Sequence, residues 1–229
     1  MTKLTSWLIA ASITTILAVP ALPQAPTQPF RYEVREDMFR GFAGDRVAFA
    51  RAMALCEARL AENPDHAEAL VWHASGLLFQ AGQAFRARDE SQGMALNQRA
   101  LAQMARAVAL RPDEIEVLVV RASSLLATAM GTPDVERARA YAVTAVGDFE
   151  KAVALQQRQL ANMPAHPKGE LFAGLAEAWS RVGDAQKARF YLTRMVAELP
   201  DTPYSAAAKA RLDNPSATSR ITCLGCHTK

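Results

Sequence analysis

Three residues near the end of the chain carry the most distinctive chemistry in this sequence. Cys223, Cys226 and His227 stand in the run Cys223-Leu224-Gly225-Cys226-His227-Thr228-Lys229. Cys-x-x-Cys-His is the spacing that attaches a c-type haem. Two thiols at this separation can each add to a vinyl group on one edge of a porphyrin, and the adjacent imidazole can then reach the iron from one side. Gly225 leaves out a side chain where the ring comes close. The pattern predicts a covalent haem c held by Cys223 and Cys226, with His227 as the proximal iron ligand. The same residues admit other chemistry. Cys223 and Cys226 can close a plain disulfide, which needs no neighbouring His. They can also form half of a zinc site, although zinc normally takes four ligands and the sequence has no second Cys pair to complete the set. Thiol-redox catalysis is a further use, but no helix starts at Cys223 to stabilise a thiolate.

The other end of the chain reads as an export signal. Lys3 supplies the positive start, Trp7 to Val19 is an uncharged apolar run, and Val19-Pro20-Ala21 offers small residues for cleavage after Ala21, with Ala25 as a second site. Residues 1–21 are therefore expected to be a signal peptide. An uncleaved anchor is the alternative, but the run is shorter than the ~20 residues of a spanning helix. The expectation is a periplasmic or secreted protein with no membrane segment after cleavage. Haem attachment in bacteria takes place in that exported space. It is also oxidising, so it permits the disulfide.

Between the two ends lies enough chain for one domain with a sizeable core. The formal net charge is only +3, and no Lys/Arg run or aromatic-basic interleaving argues for nucleic acid. Residues 22–44 read as a Pro-rich linker and N-terminal extension. Pro23, Pro26 and Pro29 make 22–34 extended, and 35–44 hold one short helical turn whose Phe39 and Phe42 tuck onto the first repeat. From Asp45 the pattern is helical. Asp45 caps a helix over 46–63, with Phe49, Met53, Cys56 and Leu60 on one buried face. Cys56 in that stripe is either an inert buried thiol or a redox partner for the tail. Further helices are expected over about 67–81, 93–110, 113–129, 134–161, 170–182, 184–199 and 203–212, with the polar stretch 86–92 as a loop. No β-alternation occurs, which makes the fold class all-α.

The clearest internal unit runs from Leu171 to Pro200. It reads Phe172-x-x-Leu175-Ala176-x-x-Trp179, then Gly183, then Ala188-x-x-x-Leu192, then Pro200. Two stretched copies precede it. One has Trp72, Ser75, Gly76, Phe79, Ala100, Met104 and Pro112; the other has Leu118, Arg121, Ala122, Leu125, Ala145 and Phe149. This pattern resembles the tetratricopeptide repeat (TPR) family over about residues 45–212. The resemblance implies a TPR-like solenoid of antiparallel helix pairs with irregular repeat lengths, whose concave groove binds a protein or peptide partner. Carrying over the family's groove positions gives Leu70, His73, Leu77 and Gln80, then Glu116, Val119 and Ser123, then Glu170, Ala173 and Glu177.

The remaining 213–229 form a tail that carries the Cys-x-x-Cys-His run. It departs from ordinary monohaem cytochromes, which resemble a compact wrapper with the motif near the start and a Met ligand well downstream. Here only Thr228 and Lys229 come after His227. Sixth-ligand candidates are His73 on a helix, His166 in a loop between Pro164 and Pro167, and the methionines; each His reads more simply as a plain surface or turn residue than as a ligand. His66 reads as a turn residue, and Met53, Met104 and Met195 read as core. No nucleophile elbow, His-Glu-x-x-His or phosphate loop is present, so no hydrolytic enzyme is expected. The sequence as a whole points to an exported scaffold with a haem-bearing tail for electron transfer, or for docking and assembly of a redox partner. The alternative is a non-haem periplasmic adaptor whose tail Cys pair forms a disulfide.

Overall fold

The computed structural model describes residues 29–214, and among these every regular element is helical. In chain order the helices are α1 (Phe30–Phe42), α2 (Arg46–Glu62), α3 (Ala67–Arg86), α4 (Glu90–Leu110), α5 (Ile115–Gly131), α6 (Val135–Leu155), α7 (Ala165–Val182), α8 (Ala185–Glu198) and α9 (Pro203–Asp213), with one 3-10 turn at Leu160–Asn162. Consecutive helices pack as antiparallel pairs, α1 with α2, α3 with α4, α5 with α6 and α7 with α8. The first helices of the pairs also touch in sequence, α1 to α3 to α5 to α7, and α9 comes after α7 in that row. The fold is an all-α, solenoid-like array with an inner row of odd-numbered helices and an outer row of even-numbered ones.

The outer row starts on a recurrent device. Asp45, Asp89, Asp134 and Asp184 precede α2, α4, α6 and α8, and each carboxylate accepts a hydrogen bond from a backbone N–H of its helix's first turn, at 2.9–3.1 Å. Each cap satisfies a donor that has no partner inside the helix and is worth about 1 kcal/mol. Apolar residues at three- and four-residue steps then bury one face of each helix against its partner. Phe172, Leu175 and Ala176 of α7 are fully buried, as are Ala100, Met104 and Ala107 of α4.

Several boundaries differ from the sequence expectations. Pro29 starts a helix instead of belonging to an extended linker, and α1 buries Phe30, Val34, Met38 and Gly41 in register. The array therefore begins at Phe30, not at Asp45, and the incomplete first repeat gains its missing half. Arg51 of α2 grips the Asp37 carboxylate of α1 through two bonds of 2.8 and 2.6 Å. The expected polar loop over 86–92 is a tight turn at 87–89 with Arg88 at φ 64°. Gly93, read as the start of α4, lies inside it, where an added Cβ would sit 2.5 Å from the Phe85 ring. The extra residues of the stretched copies lengthen helices. α3 and α4 have 20 and 21 residues, against 18 and 14 in α7 and α8. In the other direction α6 stops at Leu155, short of the expected 161, and α5 spans Ile115–Gly131. α7 begins at Ala165, so His166 stands in the first turn of a helix and not in a loop.

Polar contacts pin the pairs inside this apolar frame. Arg121 of α5 holds the buried Asp148 carboxylate of α6 through two bonds of 2.6 and 2.5 Å. Tyr141 of α6 donates to Asn97 of α4 at 3.0 Å, and Ser75 of α3 meets Ser124 of α5 at 2.7 Å. Satisfied buried groups of this kind fix one register, because a slipped register would leave them unpaired.

Candidate functional site

The inner row encloses a cavity of about 340 Å³. One wall comes from α1 through Arg35, Phe39 and Phe42, and Trp72 of α3 lies beside it. α5 provides Glu116, Val119, Val120 and Ser123, and α7 provides His166, Glu170, Ala173, Gly174 and Glu177. Phe149 reaches in from α6 across Gly174, where an added Cβ would come within 2.7 Å of its ring. Phe39 and Trp72 meet edge to face with centroids 5.8 Å apart. The surface is mostly apolar, with a few polar groups around it, as in sites that bind a side chain or a small ligand.

Six of the ten groove residues named from the sequence meet in this cavity: Glu116, Val119, Ser123, Glu170, Ala173 and Glu177. The four on α3 do not. Leu70 and Leu77 are core residues. His73 is 1 % exposed, with Nδ1 against Gln103 Oε1 at 2.8 Å and Nε2 facing the Glu57 carboxylate at 3.6 Å. Leu70 and His73 border a separate cleft among α2, α3 and α4, and Gln80 is half-buried. α3 turns Trp72 to the cavity because α1, α2, α4 and α5 surround it and take up its other faces. The wall supplied by α1 had a partial sequence signal in the aromatic pair Phe39 and Phe42. Phe149 had one only as a position of the repeat pattern, and Arg35 had none.

No protein-family model matches the chain, and no curated protein or solved structure is significantly similar to it. Its chemistry has to be read from its own residues.

The carboxylates of the cavity differ in setting. Burial pushes the Glu116 carboxyl above the usual carboxylate range. Arg31 and Arg35 pull it back down, and Glu68 pushes it further up. The Trp72 indole N–H has no acceptor at full hydrogen-bonding geometry and adds only a weak pull toward the charged form. Glu170 accepts from the Tyr204 hydroxyl at 2.9 Å, and that hydroxyl lies 2.7 Å from His166 Nδ1. With the Tyr204 proton on Glu170, the hydroxyl oxygen is left to accept from the imidazole. Glu177 is held by Arg181 and by the buried Arg211 of α9, both at 2.9 Å. The His166–Tyr204–Glu170 chain and the Arg211–Glu177 pair tie α9 along α7.

Other candidates fall into place as structural residues. Cys56 is fully buried and burial pushes its thiol up to about 12, which makes it a poor nucleophile at neutral pH. Met53, Met104 and Met195 are buried. His66 caps α3, its Nδ1 accepting from the Ala69 N–H at 3.2 Å. Among the described residues no group of three or more His, Cys, Asp or Glu side chains could hold a metal ion, and no helix is long and apolar enough to cross a membrane. Cys223, Cys226, His227 and the signal region 1–21 lie outside the described residues.

Proposed function

We propose that this chain is an exported TPR-type scaffold that takes a protein or peptide segment into its inner-row cavity and carries a covalent c-type haem on its C-terminal tail. The observation that carries the binding half is the cavity itself. Residues far apart in sequence, on α1, α5 and α7, converge on one apolar-walled recess of about 340 Å³. That is room for one or two large side chains of a docked segment. The apolar walls favour an apolar side chain, since Arg31 and Arg35 face Glu116 and Arg181 and Arg211 hold Glu177.

The haem half rests on the donor set. Two thiols and an adjacent imidazole are the groups a covalent haem needs. The haem would supply one-electron redox chemistry. Cys223 and Cys226 would fix it to the chain, and His227 would be a ligand to its iron. The helical body would bring a partner to it. The work is then electron transfer, or the docking and assembly of a redox partner, with no reaction catalysed by the body itself.

The test is expression in the exported compartment with active haem-maturation machinery. Wild type is expected to give a haem-staining band on a denaturing gel. Cys223→Ser plus Cys226→Ser is expected to abolish the band and leave helical circular dichroism unchanged. His227→Ala is expected to reduce attachment strongly. An unstained wild type that gains two titratable thiols on reduction would make the protein a disulfide-bearing adaptor instead.

A further inference from the structure

We propose that the inner-row cavity selects an uncharged aromatic side chain, the ring of a Phe, Tyr or Trp on a partner segment. The proposal rests on reading the cavity as a groove for a docked segment. It adds which side chain that groove takes.

The first observation is charge. The carboxylates of the wall already meet positive charges or donors inside the body. Glu177 is held by Arg181 and Arg211, both at 2.9 Å. Glu170 accepts from the Tyr204 hydroxyl at 2.9 Å. Glu116 faces Arg31 and Arg35, so the guanidinium of Arg35 is answered as well. A charged guest would give up its hydration against apolar walls and meet no unmatched carboxylate among the described residues there. The electrostatic match of this cavity is a neutral group.

The second is the set of rings. Phe39 and Phe42 of α1, Trp72 of α3 and Phe149 of α6 all belong to the wall. They are held in place from behind. Phe39 meets Trp72 edge to face at 5.8 Å, and Phe42 packs on Phe79 at 5.1 Å and on Phe49 at 6.3 Å. Phe149 lies close over Gly174, where a Cβ would come within 2.7 Å of its ring. Rings fixed in this way need little ordering when a guest arrives. An aromatic guest gains edge-to-face or offset contacts with them beyond its buried area, and an aliphatic guest does not.

The third is space. Between the rings the wall is made of small residues, Ser123 and Ala127 of α5 and Ala173 and Gly174 of α7. They leave open the volume of about 340 Å³. Aromatic side chains fill such a volume with a large rigid area and only two torsions to freeze.

The consequence for the proposed scaffold is recognition by one anchor. A single buried ring carries most of the binding, and the residues around it on the segment matter less.

The test uses the full mature chain with labelled methyl groups, followed by NMR. The probes are the N-acetyl amides of tryptophan, phenylalanine, leucine, lysine and glutamate. The two aromatic amides are expected to shift the methyls of Val119 and Ala173, with affinities several-fold above that of the leucine amide. The lysine and glutamate amides are expected to leave those methyls unmoved. Val119→Phe and Ser123→Phe each fill the cavity from α5, and each is expected to weaken the tryptophan amide several-fold with helical circular dichroism unchanged. Two separate fillings keep the result readable if one of them misfolds. Phe190→Ala removes an exposed ring of α8 and is expected to change nothing. A leucine amide that binds as tightly as the aromatic ones, or a lysine or glutamate amide that shifts the same methyls as strongly, would overturn the aromatic, uncharged guest and leave the groove standing. No shift at Val119 or Ala173 with any amide would overturn the groove reading as well.

Discussion

α3 and α7 hold the same place in their respective helix pairs, yet they turn different faces to the cavity. Glu170, Ala173 and Glu177 of α7 line it, while the residues at matching steps on α3, Leu70, His73 and Leu77, are core. The difference comes from neighbours. α3 packs closely on α5 in the inner row as well as on α2 and α4, and also touches α1, whereas α7 packs on α6 and α8 and touches α5 and α9 only lightly. A groove position in a helical repeat is a position that no neighbouring helix has covered. Family positions therefore transfer only to pairs whose inner face stays open, and on α3 it is α2 and α4 that take up Leu70 and His73.

The largest expected effect is on the core side of this contrast. Leu77→Ala on α3 is expected to destabilise the fold by about 2–5 kcal/mol, as for other buried leucines. Glu177→Ala at the matching step of α7 is expected to cost about 1–3 kcal/mol, chiefly by leaving the Arg211 guanidinium buried without its partner. Its amide exchange should quicken in α9 alone. Urea melts monitored by circular dichroism separate the two. Equal losses at the two sites would mean that α3 and α7 are buried alike.

A smaller effect concerns pH. The folded-state pKa of Glu116 is raised, mainly by burial, so its contribution to stability is full below the unfolded-state pKa and is lost as pH rises through the folded one. Glu116→Gln is expected to flatten the dependence of the melting temperature on pH between the acidic and neutral ranges, and to raise it near neutral pH. A wild type whose stability rises with pH through that window, with Glu116→Gln tracing the same curve, would show that the α5 side of the cavity is solvated like an ordinary surface.

How much of the fold and the cavity is legible in the residues depends on the element. The α7–α8 unit can be read almost whole, because Phe172, Leu175, Ala176 and Trp179 keep helical spacing and Gly183 breaks the chain at φ 94°. α1 cannot. Pro29 comes after Pro23 and Pro26 and reads as linker, and six charged residues dilute the stripe of Phe30, Val34 and Met38. His166 reads as a loop residue because Pro164 and Pro167 flank it. Both prolines sit at the start of α7, where the backbone N–H they lack would have had no helical partner. Most of the α5 and α7 walls of the cavity are legible from the repeat pattern. The α1 wall is not, since it depends on a helix that no repeat position announces.

The proposed function joins an export signal at one end of the chain to a haem at the other, with the helical body between. The most direct test is the intact mass of the full-length protein recovered from the exported compartment of cells with active haem maturation. The expected product is a chain that begins at Leu22 and carries the mass of one covalently bound haem. A chain of the same start that is lighter than the reduced polypeptide by two hydrogens, with no haem, would contradict the haem assignment and make Cys223 and Cys226 a disulfide. A chain that retains Met1 would contradict the cleaved signal.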